Sequence, residues 1–325
     1  MSAYLFVHFR EKTTPDGEQV HFALSRDGFH WTPVNGGKPV LWAYYGDHGV
    51  RDFAVCRSRL DGRFYILATD LSLAYGMRGK YHGDWAQIAC SGSKCLAVWD
   101  SDDLIHWSEQ RLIPIGDADF GCLWAPDITF DAQQGDYMVH WSSAHRRNDY
   151  GPKAIFYSRT KDFQTFSPPQ ELYRKADGGV IDSAMVCEDG VYYLFLKSEG
   201  NPETIILLRS TSPTGPFERV PAFDESMKVV AAGLYEAPAL LRLGDGRYCL
   251  FIDYYGVRGA GQGYVPFVTE DISSGRFTRF SAARGAQTGA DTAFSFPYGF
   301  KHGSILAITD EEYARIQAHD WNEND

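Results

Sequence analysis

Short apolar stretches rich in aromatic and branched residues recur along the chain, each entered through a glycine. The clearest are Gly62-Arg-Phe-Tyr-Ile-Leu, Gly135-Asp-Tyr-Met-Val, Gly190-Val-Tyr-Tyr-Leu-Phe and Gly246-Arg-Tyr-Cys-Leu-Phe. They read as β-strands that begin at a glycine turn. Eight to ten residues before each glycine stands an acid at the head of another apolar run: Asp52, Asp127, Asp182 and Glu236. A polar run closing on an aromatic follows each strand pair, at 25–31, 101–107, 159–166, 211–217 and 269–277. This closing element occurs five times and the acid four. The mismatch resolves if the chain closes on itself, because the strands at 4–9 and 20–24 have no inner strand before them and 298–308 can supply it. The prediction is an all-β fold, a five-bladed β-propeller closed by pairing the N-terminal strands with the C-terminal strand. In the fifth unit His302 stands where the others carry an acid.

The innermost strand of a blade lines the central axis, and residues at its start face one mouth of the channel. The four acids, read as equivalent positions of one repeat, are therefore expected to converge on a single pocket. A lone acid at a strand end usually caps a turn or accepts backbone hydrogen bonds. Four together raise one another's pKa and cost folding energy, which points to chemistry instead of stability.

Composition narrows the partners. No linker, charge block or low-complexity run divides the 325 residues, so residues 1–325 are read as one domain, with roughly the last fifteen as a tail. The formal charge of −11 excludes nucleic acid and an anionic membrane surface as partners, since either needs a basic face. A neutral ligand fits. Aromatics make up 15% of the chain, with 8 Trp and 19 Tyr, enough to pack the blades and still leave stacking platforms for sugar rings. No apolar stretch approaches a membrane span and no leader precedes the first strand, so a cytoplasmic location is expected unless a leader was removed. The six cysteines lack zinc-site spacing and are expected as free thiols, although Cys90 and Cys95 are close enough for a loop disulfide.

The segments Val50-Arg-Asp-Phe-Ala-Val, Trp124-Ala-Pro-Asp-Ile, Ile181-Asp-Ser-Ala-Met-Val followed by Glu188-Asp-Gly, Tyr235-Glu-Ala-Pro and Lys301-His-Gly-Ser together resemble the family 43 glycoside hydrolases, which are five-bladed propellers. The resemblance covers nearly the whole chain. It implies inverting hydrolysis of α-L-arabinofuranosides or β-D-xylosides by three acids. Carried over, Asp52 matches the general base, Asp182 the acid that tunes pKa and orients the donor, and Glu236 the general acid. Phe53 and Ser183 stand where the family usually has proline, which bears on strand entry more than on roles. The physical logic agrees, since inversion needs one ionised carboxylate to activate water and one protonated carboxyl for the leaving oxygen. Asp127 is read as a substrate or structural contact, and Trp124 as a sugar platform or an inter-blade filler. His302 is either a core histidine or, by resemblance, the axial histidine near a bound calcium or sodium ion; no cofactor is required for the reaction. Arg51, Phe53 and Arg258 complete the candidate substrate contacts.

Two other enzyme readings fit less well. A fructan-cleaving propeller needs an Asn-Asp-Pro nucleophile segment and a Glu-Cys pair, and neither occurs. A glycoside phosphorylase needs a basic cluster, for which His145-Arg-Arg is the only compact candidate. A sugar-binding propeller without catalysis is the alternative from another class, and it would gain nothing from a buried acid trio. The long segments 34–50 and 71–94 are expected to shape the pocket and to favour exo action on the end of an arabinose- or xylose-containing oligosaccharide.

Overall fold

The computed structural model describes residues 3–10, 12–228, 235–255, 263–280, 293–296 and 299–321. Five four-stranded antiparallel sheets make up the molecule. Blade I runs Gly303–Ile308, Ala3–His8, His21–Ser25 and Thr32–Pro33 from the axis outward, so the closing strand comes from the far end of the chain. Tyr4 pairs with Ala307 and His8 with Gly303 across that seam. Blade II is Val50–Arg57, Phe64–Asp70, Cys95–Ser101 and Arg111–Pro114; blade III is Trp124–Asp131, Asp136–Ser143, Ala154–Thr160 and Gln170–Tyr173. Blade IV is Val180–Glu188, Val191–Ser198, Ile205–Ser210 and Glu218–Arg219; blade V is Tyr235–Arg242, Tyr248–Tyr254, Tyr264–Thr269 and Thr278–Arg279. The five first strands touch in a closed ring, I to II to III to IV to V and back to I. The predicted propeller and its closure are both present.

Second and third strands are buried on both faces, which is why they read as apolar runs without alternation. Their side chains fill the wedges between blades; one such cluster joins Phe6 and Trp31 of blade I to Leu241 and Phe251 of blade V. The closing elements are tight turns between third and fourth strands. Asp27, Asp103 and Asp162 each accept two backbone N–H groups there, and Ser25, Ser101 and Thr160 cap the same turns.

One terminal expectation changes. Within the segment read as a tail lies a helix, Asp310–Ala318, with a capping box between Thr309 and Glu312. Tyr313 and Ile316 bury into the blade I–II cluster, and the Glu312 carboxylate takes both bonds of Arg57 at 2.6 Å. Its apolar i, i+3 pair was too brief to stand out from the charged residues around it. All six cysteines are free, Cys90 and Cys95 included. No helix among the described residues is long and apolar enough to cross a membrane.

Candidate active site

In blades II to V the first strand opens on a β-bulge. Pairing slips between Arg51 and Ala54, Trp124 and Asp127, Ile181 and Ala184, and Glu236 and Ala239. At the centre of each bulge one residue is left-handed: Asp52 (φ 51°), Ala125 (49°), Asp182 (53°) and Ala237 (48°). Such a residue costs of order 1 kcal/mol and turns its N–H out of the ladder. A buried N–H needs another acceptor. The preceding blade's second strand provides it, Thr69 Oγ1 accepting from Ala125 N at 2.8 Å and Ser142 Oγ from Asp182 N at 3.0 Å. At the same register in blade IV stands Lys197, which can only donate. There the Asp182 carboxylate takes the place of the missing acceptor, receiving Ala237 N–H at 3.0 Å.

This register corrects the reading of four equivalent acids. Asp52 and Asp182 hold the bulge position, Glu236 stands one residue before it, level with Arg51, Trp124 and Ile181, and Asp127 lies two beyond Ala125. The glycine ruler misled because hairpins of unequal length separate acid from glycine. Asp127 accordingly sits down the channel, in a narrow cavity of about 210 Å³. Its Oδ2 accepts Met185 N–H at 2.9 Å and lies 3.3 Å from His140 Nε2, while His140 Nδ1 is 2.7 Å from Ser183 Oγ. Asp127 therefore ties blade III to the strand that carries Asp182.

At the mouth, a cavity of about 360 Å³ brings together Asp52, Asp182, Glu236, Lys301 and His302 under the rings of Trp85 and Trp124. His302 Nε2 is 2.7 Å from Asp52 Oδ1, and its Nδ1 is 3.1 Å from the buried Asp253 Oδ2. Burial lowers the His302 pKa, but the bonds to Asp253 and Asp52 outweigh it and carry the ring up to about 10. With a carboxylate oxygen facing each nitrogen, the ring is placed to donate from both. Burial would raise Asp52; the His302 bond and charge, with Arg51 behind, win and hold it down to about 2. Asp182 goes the other way, to about 7, through burial first and then the Glu236 charge. Two carboxyl groups of one cavity thus differ in protonation near neutral pH, Asp52 ionised and Asp182 drawn toward its neutral form. Lys301 Nζ lies 2.5 Å from Glu236 Oε1 and 3.2 Å from Asp253 Oδ2, and burial of Asp253 is offset first by the Lys301 charge, then by His302, so its carboxyl is held low.

The structure brings together most of the residues singled out from sequence. Arg51 lines the mouth cavity, but its guanidinium is bound to buried Glu18 at 2.6 Å and stacks over Phe9, so it backs Asp52 instead of reaching outward. Trp124 lines the mouth edge-on to half-exposed Trp85, with ring centroids 6.2 Å apart. Phe53 is buried against Phe9 on the channel side and does not line the mouth. Arg258 lies outside the described residues. From 71–94 come Leu71 and Trp85; from 34–50 no described residue lines the mouth cavity, though Asp47 braces Lys80 at 3.0 Å. Sequence reasoning missed Asp253, Lys301, Tyr255 and Trp85. A partial signal for Asp253 existed: each second strand of blades II to V carries a polar residue near its end, Thr69, Ser142, Lys197 or Asp253, and these share one register.

Over residues 1–314 the chain matches a family described as "Probable glycosyl hydrolase domain", related to glycosyl hydrolase family 43. Over 218 residues it is 28% identical to an α-L-arabinofuranosidase of Bifidobacterium longum subsp. longum, an alignment taking in 61% of this chain and 20% of that protein's length. Similar solved structures include an endo-1,4-β-xylanase of Bacteroides thetaiotaomicron, at TM-score 0.61 and 16% identity over 86% of this chain and 91% of that one. A xylan β-1,4-xylosidase of Bacillus halodurans has TM-score 0.60 and 18% identity, over 85% and 52% of the two chains. At these identities the likeness to the solved structures is one of fold.

Proposed function

The chain belongs to the glycosyl hydrolase domains related to family 43, and from that premise we propose that it is an exo-acting, inverting glycosidase that releases α-L-arabinofuranose from the ends of oligosaccharides. The observation that carries the reading is the convergence of Asp52, Asp182 and Glu236 on one cavity beside two indoles, with the His302 bond keeping Asp52 ionised. Asp52 takes a proton from water whose oxygen attacks the anomeric carbon, and Glu236 gives a proton to the departing glycosidic oxygen. Asp182 holds a proton next to Glu236 and fixes the bulge beside it through Ala237. The two indoles form the wall on which the sugar rests. The cavity suits a terminal unit more than a chain passing through, which is the case for exo action.

Hydrolysis is favoured over phosphorolysis because Arg146 and Arg147 are paired with Asp119 and Glu171 and neither lines the mouth cavity. Among pentoses, arabinofuranose comes first because of the curated relative. The test is nitrophenol release from α-L-arabinofuranoside, β-D-xyloside, β-D-galactoside and β-D-fructofuranoside, with Asp52→Asn in parallel. Turnover of the arabinofuranoside that disappears in Asp52→Asn is the expected result. Turnover of the xyloside alone moves the assignment to that sugar, and no turnover of any overturns the reading in favour of phosphorolysis or binding.

A further inference from the structure

The head of the channel is a place where excess negative charge must be met. Asp52, Asp182, Glu236 and Asp253 gather there, Asp253 wholly buried. An atom each of Glu236, Asp253 and His302 lie within 4.8 Å of one another, a grouping with the spacing of a cation site. Two features argue against a metal filling it. Both His302 nitrogens already point at carboxylate oxygens, Asp52 at 2.7 Å and Asp253 at 3.1 Å, so the ring has no lone pair to give. The space between the other two donors is spanned by an ammonium, 2.5 Å from Glu236 Oε1 and 3.2 Å from Asp253 Oδ2. Lys301 is itself almost wholly buried, and a buried lysine is costly unless it is paired as this one is. The calcium or sodium ion expected beside His302 does not fit this donor set.

We propose that the Lys301 ammonium is the built-in cation of the channel head, holding Glu236 and Asp253 together where a metal ion would otherwise be required. Lys301 is a positioning residue: it fixes the carboxylate that faces the leaving group by charge and by a bond to a buried anchor. The arrangement also explains why Asp253, with no route to substrate, is an acid. It ties His302 and Lys301, the two cations that approach Asp52 and Glu236, to one point of the second strand of blade V.

The test is independent of which sugar is cleaved and of whether any is. Metal content and unfolding temperature are measured for the wild-type chain and for Lys301→Met, after chelation and with excess calcium or sodium chloride. The wild type is expected to carry no stoichiometric ion and to melt at the same temperature in all conditions. Lys301→Met, left with uncompensated carboxylates, is expected to melt lower and to recover by about 4 °C in calcium; Lys301→Arg keeps the cation and is expected to show no calcium response. Stoichiometric metal in the wild type, or a fall in its melting temperature on chelation, overturns the proposal. So does a Lys301→Met chain whose stability ignores both salts. If Lys301→Met does not fold, Lys301→Gln takes its place, and the wild-type arm stands by itself.

Discussion

Glu236 and Asp182 differ in what they touch, Lys301 for the one and Ala237 N–H for the other, and their substitutions should differ in kind. On the proposed mechanism Glu236→Gln removes the proton donor, so natural arabinosides should slow by about 100-fold or more while nitrophenyl glycosides, whose leaving group needs no proton, slow far less. Equal losses on both would remove Glu236 from that role. Asp182 makes a prediction about stability. Its folded-state pKa is raised from 3.8 to about 7. Below pH 4 the folded and unfolded chains both hold the proton; between pH 4 and 7 the unfolded chain loses it and the folded chain keeps it, so the Asp182 contribution to stability falls over that window and levels off above it. Asp182→Asn keeps an oxygen for Ala237 N–H and removes this contribution. Urea unfolding at both ends of the window should show the variant gaining about 4 kcal/mol on the wild type as pH rises. A constant difference would mean that Asp182 is not the strained group.

The element that sets the site is the bulge opening each first strand, and its supports lie on the blade before. Ser142→Ala leaves the N–H of left-handed Asp182 buried without an acceptor, so a loss of about 1–3 kcal/mol in stability, with a fall in kcat larger than the change in KM, is expected from denaturation and steady-state kinetics. Asp127→Asn keeps an acceptor for Met185 N–H and should retain activity within a few-fold, in contrast to Asp52→Asn. The comparison separates the acid that braces a strand from the acid proposed to activate water. Much of this was legible in sequence: the apolar runs, their glycine entries and the capped turns gave the blades, and Asp52, Asp182 and Glu236 were placed at strand heads. The relative register of those acids was not legible, because a bulge adds a residue without leaving an apolar or polar mark. Asp253 was legible only as a polar residue near a strand end, since a pairing partner is defined by hydrogen bonds across a hairpin, and nothing in Tyr-Cys-Leu-Phe-Ile-Asp states that Glu236 lies opposite. Lys301 stood in a segment already singled out, but its neighbour drew the attention because histidine is the commoner ligand.

At the scale of the molecule, one antiparallel seam closes the ring and the terminal helix is pressed over it. Truncation after Thr309 removes Tyr313, Ile316 and the Glu312–Arg57 pair, exposing the blade I–II cluster. A loss of about 3 kcal/mol is expected from the lost burial, read as a drop in denaturation midpoint with the propeller still formed. Truncation before Gly303 also removes the first strand of blade I and should give no cooperative transition at all. The seam has a consequence in time as well. Lys301 and His302 immediately precede the closing strand, so during synthesis the four carboxyl groups are made first and their two counter-cations last. A nascent chain with all four of these acids present still has them unbalanced, and the same few residues that zip the ring shut deliver the charges that let the acids sit together. Assembly and arming are one event, and a chain stalled short of its last blade strand carries the parts of an active site without the means to hold them in place.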